Sequence, residues 1–142
     1  MTSADLKRYQ KKTIQELIKL AGKHFNAFIR ARDLNGDYFT CISCNHTKHR
    51  EMMHAGHYLS AGHHGAVRFD ERNVHGQCSA CNTHLSGHLL GYAKGLERKI
   101  GAEAVKALEI KSQMRGFQWD RYALIEIIIR YKNKHKTHEK SI

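Results

Sequence analysis

Two pairs of cysteines carry the most specific chemistry in the sequence. Cys41-Ile42-Ser43-Cys44 and Cys78-Ser79-Ala80-Cys81 are C-x-x-C pairs with 33 residues between them. Each pair can place two thiolates on one ion from a tight knuckle, and four thiolates make a closed tetrahedral zinc site. A closed site leaves no coordination position for substrate, so the zinc expected on Cys41, Cys44, Cys78 and Cys81 is structural. The plainer alternative is four reduced core thiols or a redox pair, and the matched spacing argues against it.

Histidine and asparagine gather in the same stretch. There are 12 histidines, most of them between His46 and His88, set in the runs His54-Ala55-Gly56-His57-Tyr58, Asn73-Val74-His75 and Asn82-Thr83-His84-Leu85-Ser86-Gly87-His88. Hydrolysis of a phosphodiester with metal help needs a base for water, an ion beside the developing charge, and a group that fixes the base. A strand histidine can be the base, its second ring nitrogen held by an amide or carbonyl. Its neighbours can hold Mg²⁺ or Mn²⁺. His84 and His88 share a face if the helix is continuous there, and Gly87 between them weakens that inference. Asn82 taken alone serves equally well as a helix cap. His63-His64 sits in a glycine-rich loop, facing DNA or solvent. His24, His46, His49, His135 and His138 read as surface or hydrogen-bonded histidines.

These residues need a scaffold. Leu6, Ile14, Leu17, Ile18, Ala21, Phe25, Phe28 and Ile29 recur at helical spacing, which predicts one basic amphipathic helix from about Ser3 to Arg32. The turn formers Asp33–Asp37 end it. Tyr38–Thr40 reads as a strand entering Cys41, with further short strands at Ala55–Leu59 and Ala66–Phe69. A second helix is expected from Ala80 to Lys99, a third over Ala102–Met114 and a fourth over Trp119–Lys134, with a basic tail at Lys132–Lys140 that frays. No proline, repeat or linker marks a boundary. The expected architecture is α+β, mainly helical, in one domain over 1–142: an N-terminal helix over 1–35, a zinc-bound core over 36–100 and C-terminal helices over 101–142.

Charge narrows the partner. The 24 Lys and Arg against 13 Asp and Glu give +11, which points to a polyanion. Lys7, Arg8, Lys11, Lys12, Arg30, Arg32, Arg68, Arg72, Lys94 and Arg98 are candidates for DNA backbone contacts, which set affinity without reading sequence. No apolar run approaches the roughly 20 residues that span a bilayer, and the first residues carry no signal-peptide pattern. The chain reads as cytoplasmic, with no membrane partner.

The order of these motifs resembles the zinc-knuckle HNH (ββα-metal) nucleases. Their pattern runs from C-x-x-C to a strand histidine, then an asparagine five residues before a second C-x-x-C that Asn or His follows at once. Here the series is Cys41/Cys44, His57, Asn73, Cys78/Cys81 and Asn82. A closer resemblance is to the NinG (Rap) recombination proteins of lambdoid phages. It rests on Cys-Ile-Ser-Cys, Ala-Gly-His-Tyr, Arg68-Phe69, Asn-x-His-x-Gln-Cys at Asn73–Cys78, Cys-Asn, and Leu-Ser-Gly at Leu85–Gly87. It covers residues 38–110 well. The resemblance implies a structure-selective endonuclease acting on Holliday junctions and D-loops, made by a phage or prophage in a bacterial host. It implies His57 as general base, Asn73 orienting it or holding the hairpin, and one Mg²⁺ or Mn²⁺ on Asn82 with His84 or His88 and His54. The family pattern has an acidic residue at His54 and asparagine at His88, and many HNH nucleases carry Asp where this chain has Gly56. The first ligand to the catalytic ion thus stays open between His54, His57 and Asp70. The alternative from another class is a non-catalytic zinc-knuckle module that binds branched DNA as a recombination accessory. A sequence-specific homing or restriction nuclease ranks lower, because no sequence-reading module is visible. Two symmetric cuts call for a homodimer, for which Phe25/Phe28 and Ile125/Ile128/Ile129 offer faces, and for recombination-protein partners.

Overall fold

The computed structural model describes residues 1–85 and 87–141, the side chains of residues 136–141 excepted, and the basic tail expected to fray at Lys132–Lys140 continues the last helix. The fold is α+β. Helices α1 (Ser3–Tyr9) and α2 (Ile14–Asp33) lead into the hairpin β1 (Tyr38–Thr40) and β2 (Thr47–His49). A second hairpin, β3 (Met53–His57) with β4 (Val74–Cys78), is followed by α3 (Leu89–Ile100), α4 (Ala102–Ser112) and α5 (Arg121–Ser141).

The N-terminal helix expected to run unbroken is two helices. Thr13 caps α2 and exchanges hydrogen bonds with Glu16, and Thr2 does the same with Asp5 for α1. A Ser/Thr-x-x-acid box satisfies orphan amides at a new start, so the apolar periodicity continues through a chain that turns. In α2, Leu17, Ala21, Phe25 and Ile29 recur every fourth residue and are buried. They pack with Leu124, Ile125, Ile128 and Tyr131 of α5, with Phe69 and with Val74. Phe25 meets Tyr131 edge to face at 4.8 Å between ring centroids. The apolar faces that offered a dimer interface are thus largely satisfied within the chain.

The antiparallel register of β3 and β4 pairs Met53 with Cys78, His54 with Gln77, Gly56 with His75 and His57 with Val74. Alternation puts Ala55 and Val74 against the α2–α5 core, with His57 on that same side at the end of the strand, and turns His54, Gly56, His75 and Gln77 to the other face. The strand expected at Ala66–Phe69 is instead a 3-10 turn over Gly65–Val67. Ala66, Val67 and Phe69 are all buried, so the segment lacks the period of two that a half-buried strand shows. The Trp119 indole N–H donates to the Gly65 carbonyl at 3.0 Å and fixes the turn, which leaves Trp119 just ahead of α5.

The helix expected from Ala80 to Lys99 is interrupted. A π-helical turn covers Ala80–His84, Gly87 and His88 take left-handed φ values of 86° and 44°, and α3 starts afresh at Leu89. Helix α3 then lies on the first knuckle through Gly91 and Gly95, where a methyl group would strike the carbonyls of Ser43 and Ile42. Gly95→Ala is therefore expected to destabilise the protein by about 2 kcal/mol, because overpacking outweighs the roughly 1 kcal/mol alanine gains in a helix. A fall in the urea midpoint at unchanged slope is the readout; a rise would show that α3 can lift from the knuckle freely.

Candidate functional site

The two knuckles converge. The Sγ atoms of Cys41, Cys44, Cys78 and Cys81 lie within 4.8 Å of one another, and no disulfide joins them. Cys44 and Cys78 sulfurs are 4.0 Å apart, against about 3.8 Å between ligands around tetrahedral zinc. Phe39 and Met53 wall the cluster. Burial raises the Cys41 thiol, but the backbone N–H groups of Cys44, Cys78 and Ser43 outweigh it and carry the pKa down. Cys78 N–H donates to Cys41 Sγ at 3.3 Å. Burial pushes Cys44 and Cys81 up. Thiolates this close repel unless a cation sits among them, so the cluster can hold a metal ion such as zinc.

His57 ends β3. Its Nε2 lies 3.0 Å from the Arg68 carbonyl, an acceptor only, so Nε2 carries the proton and Nδ1 keeps the lone pair. Burial holds its pKa below the ordinary imidazole value; the Arg68 carbonyl pulls it up and the Arg68 charge pushes it down. His57, Tyr58, His64, Asn82 and Leu89 line one cleft of about 540 Å³.

Asn73 is fully buried and does not reach the His57 ring. Its amide donates to the Leu59 and Val67 carbonyls at 3.0 and 3.1 Å, and its Oδ1 accepts from Leu59 N–H at 2.9 Å. It clamps the long loop between β3 and β4, and with it the segment that presents the Arg68 carbonyl to His57. Asn73→Ala is expected to lower the unfolding free energy by about 3 kcal/mol, since one buried and two partly buried backbone groups lose partners. Urea denaturation would show this, and a change under about 1 kcal/mol would mean that water replaces the clamp.

Asn82 follows the second knuckle in the π-helical turn. Its Nδ2 donates to His54 Nδ1 at 2.9 Å, which brings strand and turn together on the hairpin face opposite the α2–α5 core. An imidazole and a carboxamide with no carboxylate suit a transition ion such as Mn²⁺ better than Mg²⁺. Among the described residues, the four cysteines are the only group of three or more His, Cys, Asp or Glu side chains close enough to share an ion. Asp70 stands apart, bound by Arg72 at 2.8 Å and Lys111 at 3.0 Å. Gly56 has no room for an acidic side chain, which would run into Gln77.

The other histidines divide. His84 is exposed at the end of the π-helical turn. His88 Nδ1 lies 3.3 Å from Cys81 Sγ, so it supports a knuckle sulfur. The break at Gly87 and His88 removes the shared helical face. His75 is buried, its Nδ1 3.4 Å from the Tyr92 hydroxyl, and burial, helped by Lys99 and Arg32, pushes its pKa down to about 3. It is a neutral core residue. One residue expected to face DNA or solvent is turned inward, and one feature escaped the sequence. His64 Nδ1 is buried without a hydrogen-bond partner in the cleft. Tyr92, fully buried, donates to the Gly56 carbonyl at 2.6 Å and anchors α3 under β3.

Of the basic residues, Lys7, Arg8, Lys11, Lys94 and Arg98 are exposed, and Lys12, Arg30 and Arg68 are partly buried. Arg32 and Arg72 are engaged internally. Arg32 binds Asp33 at 2.7 Å and the Val74 carbonyl at 2.8 Å, and Arg72 binds Asp70. Asp33 also accepts from Gly76 N–H at 2.8 Å and from Lys99 at 3.2 Å, tying α2, β4 and α3 together. Burial raises its carboxyl, but Arg32, Gly76 and Lys99 carry the pKa below the usual value. Its contribution to stability is present above the ordinary aspartate pKa and is lost as pH falls through the lower folded value. A larger cleft of about 650 Å³, lined by Asp33, Tyr38, Gly95, Arg98 and Lys99, contains none of His57, Asn73 and Asn82.

No described helix is long and apolar enough to cross a membrane. No solved structure matches the chain. Among curated proteins, it is 41% identical over 119 residues to Protein ninG of Escherichia phage 933W, an overlap of 84% of this chain and 56% of that protein. It is 40% identical over 119 residues to Protein ninG of Salmonella phage P22, covering 84% and 56%. Against Protein ninG of Escherichia phage lambda it is 43% identical over 102 residues, covering 72% and 47%. The chain spans about half the length of these relatives. The family model described as Bacteriophage Lambda NinG protein matches residues 2–141, and the chain belongs to the NinG family.

Proposed function

We propose that this chain is a structure-selective, metal-dependent DNA endonuclease in which β3, β4 and the π-helical turn leading into α3 form a ββα-metal core within one domain. The observation that carries the reading is His57: a neutral imidazole with Nε2 fixed by a carbonyl, lining one cleft with Asn82. His57 Nδ1 takes a proton from water, and the resulting hydroxide attacks the scissile phosphorus. Asn73 keeps the loop, and thereby the ring orientation, in place. His54 and Asn82 would hold a divalent ion, which supplies positive charge beside the phosphate and the departing oxygen. Lys11, Lys12, Lys94 and Arg98 are placed to hold phosphates. Branched recombination intermediates in the host cytoplasm are the substrate class, and symmetric cutting of a four-way junction calls for two copies or a recombination partner.

A DNA-binding accessory protein is the second reading, favoured by the absence of a carboxylate from the His54–Asn82 pair. The test is cleavage of a four-way junction, matched duplex and single strand by zinc-loaded protein, with Mg²⁺, Mn²⁺ or no added ion. Junction cutting that requires the ion supports the nuclease. Tight junction binding with no cutting under any of these ions supports the accessory protein.

A further inference from the structure

We propose that Leu85, Leu89 and Leu90 form an apolar wedge that enters the base stack at a DNA branch point, a proposal that deepens the nuclease reading and rests on it for the substrate. These three leucines are 55%, 58% and 71% exposed, an unusual concentration of leucine at one place on a strongly charged protein. Their position is set by the chain break: the π-helical turn ends at His84, Leu85 follows it, and α3 starts at Leu89 after Gly87 and His88 in left-handed conformations. Leu89 also lines the cleft that holds His57 and Asn82, so the apolar tip is continuous with the site of hydrolysis.

The occupant follows from what adjoins the tip. Leu90, Lys94 and Arg98 recur every four residues and are all exposed, so one edge of α3 carries a leucine at its start and cations along its stem. That order fits unstacked bases beside a phosphate backbone. Three leucines offer too little surface for a stable protein interface, which buries about 800 Å² per partner. Proteins that bend or open DNA insert leucine and similar side chains between base steps and bear the cost of unstacking. At a branch, stacking is already interrupted and that cost falls, so a wedge selects branched DNA over continuous duplex without reading sequence.

The experiment uses the full zinc-loaded chain and a four-way junction with 2-aminopurine at the branch, without added divalent ion so that nothing is cut. Saturating wild type is expected to raise 2-aminopurine emission roughly threefold as the base unstacks. The Leu89→Ser/Leu90→Ser variant is expected to bind with the same salt dependence but without that rise, and to lose roughly tenfold of its preference for junction over duplex. Leu85→Ser should give a smaller loss of the same kind. Because these side chains are exposed, zinc content and the urea midpoint should stay at wild-type values. No emission change with saturated wild type, or an unchanged rise and preference in the double variant, overturns the wedge. So does sedimentation showing a wild-type dimer that the double variant dissociates, since the leucines would then be a self-association face. The emission assay needs no cleavage, so a protein that never cuts DNA would remove the nuclease reading while leaving the wedge to stand or fall by itself.

Discussion

His57→Ala is expected to reduce metal-dependent junction cleavage by about three orders of magnitude, within the range usual for loss of a general base. Binding of the junction, zinc content and the urea midpoint should change little, because the ring is only part of the cleft wall and its one hydrogen bond ends on a carbonyl of an adjoining loop. The mutant should lose kcat rather than raise KM, since a base acts on the transition state and contributes little to holding DNA. The pH profile gives a second readout. Only the neutral ring accepts a proton, and burial lowers the His57 pKa, so activity should rise through an acidic limb below the ordinary imidazole value and be level by neutrality. In His57→Ala that limb should disappear. A mutant that retains cleavage within about tenfold of wild type would remove His57 as the base and leave His64 as the next imidazole in the cleft.

Replacing one thiolate of the cysteine cluster should have the largest structural effect if the cluster holds zinc as proposed. Cys78→Ser is expected to leave a chain with no cooperative unfolding transition. A structural zinc contributes about 10 kcal/mol or more, comparable with the whole stability of a domain. Cys78 ends β4, and its sulfur lies 4.0 Å from Cys44 Sγ of the first knuckle, so losing it opens the cluster between the two knuckles. Chelation of the ion from wild type should have the same outcome and should be reversed by zinc. In hydrogen exchange, Cys41, Ile42 and Cys78 amides should lose protection first. Ser79→Ala, between two ligands but not one of them, should keep one bound zinc and the wild-type transition. A Cys78→Ser protein that folds and binds junction normally would show that the sulfur cluster needs no metal.

The parts of the site that sequence revealed are those in which chemistry is local. C-x-x-C is a four-residue signal, and both pairs meet in space. His57 and Asn82 were singled out by their register to those cysteines, and they line one cleft. The ligand pair was harder. His54 touches Asn82 because β3 alternation and the π-helical turn bring them together, and His88 is diverted to Cys81 by a left-handed backbone that only glycine announced. Gly56 stands where many HNH nucleases carry Asp, and Gln77, 21 residues later in the chain, occupies the space an acidic side chain would need. The helical faces were legible, but not their partners. Phe25 and Ile125 fitted a dimer or a core equally well until α2 and α5 were seen side by side. The break after Tyr9 was written in Thr13 and Glu16, a capping box set within an unbroken apolar period.

That pairing of α2 with α5 has a consequence for synthesis. Arg121 donates to the Lys12 carbonyl across 109 residues of sequence, and the largest apolar cluster draws on both helices. Contacts so distant along the chain cannot form while the later one is still inside the ribosome. The sulfur cluster is complete once Cys81 emerges, some forty residues earlier. A nascent chain would thus be able to capture its metal while α2 still presents a bare apolar face, and it would be most exposed to chaperones and proteases between those two events. Closure of the α2–α5 core is in effect postponed until α5 is delivered, well after the residues of the sulfur cluster have emerged.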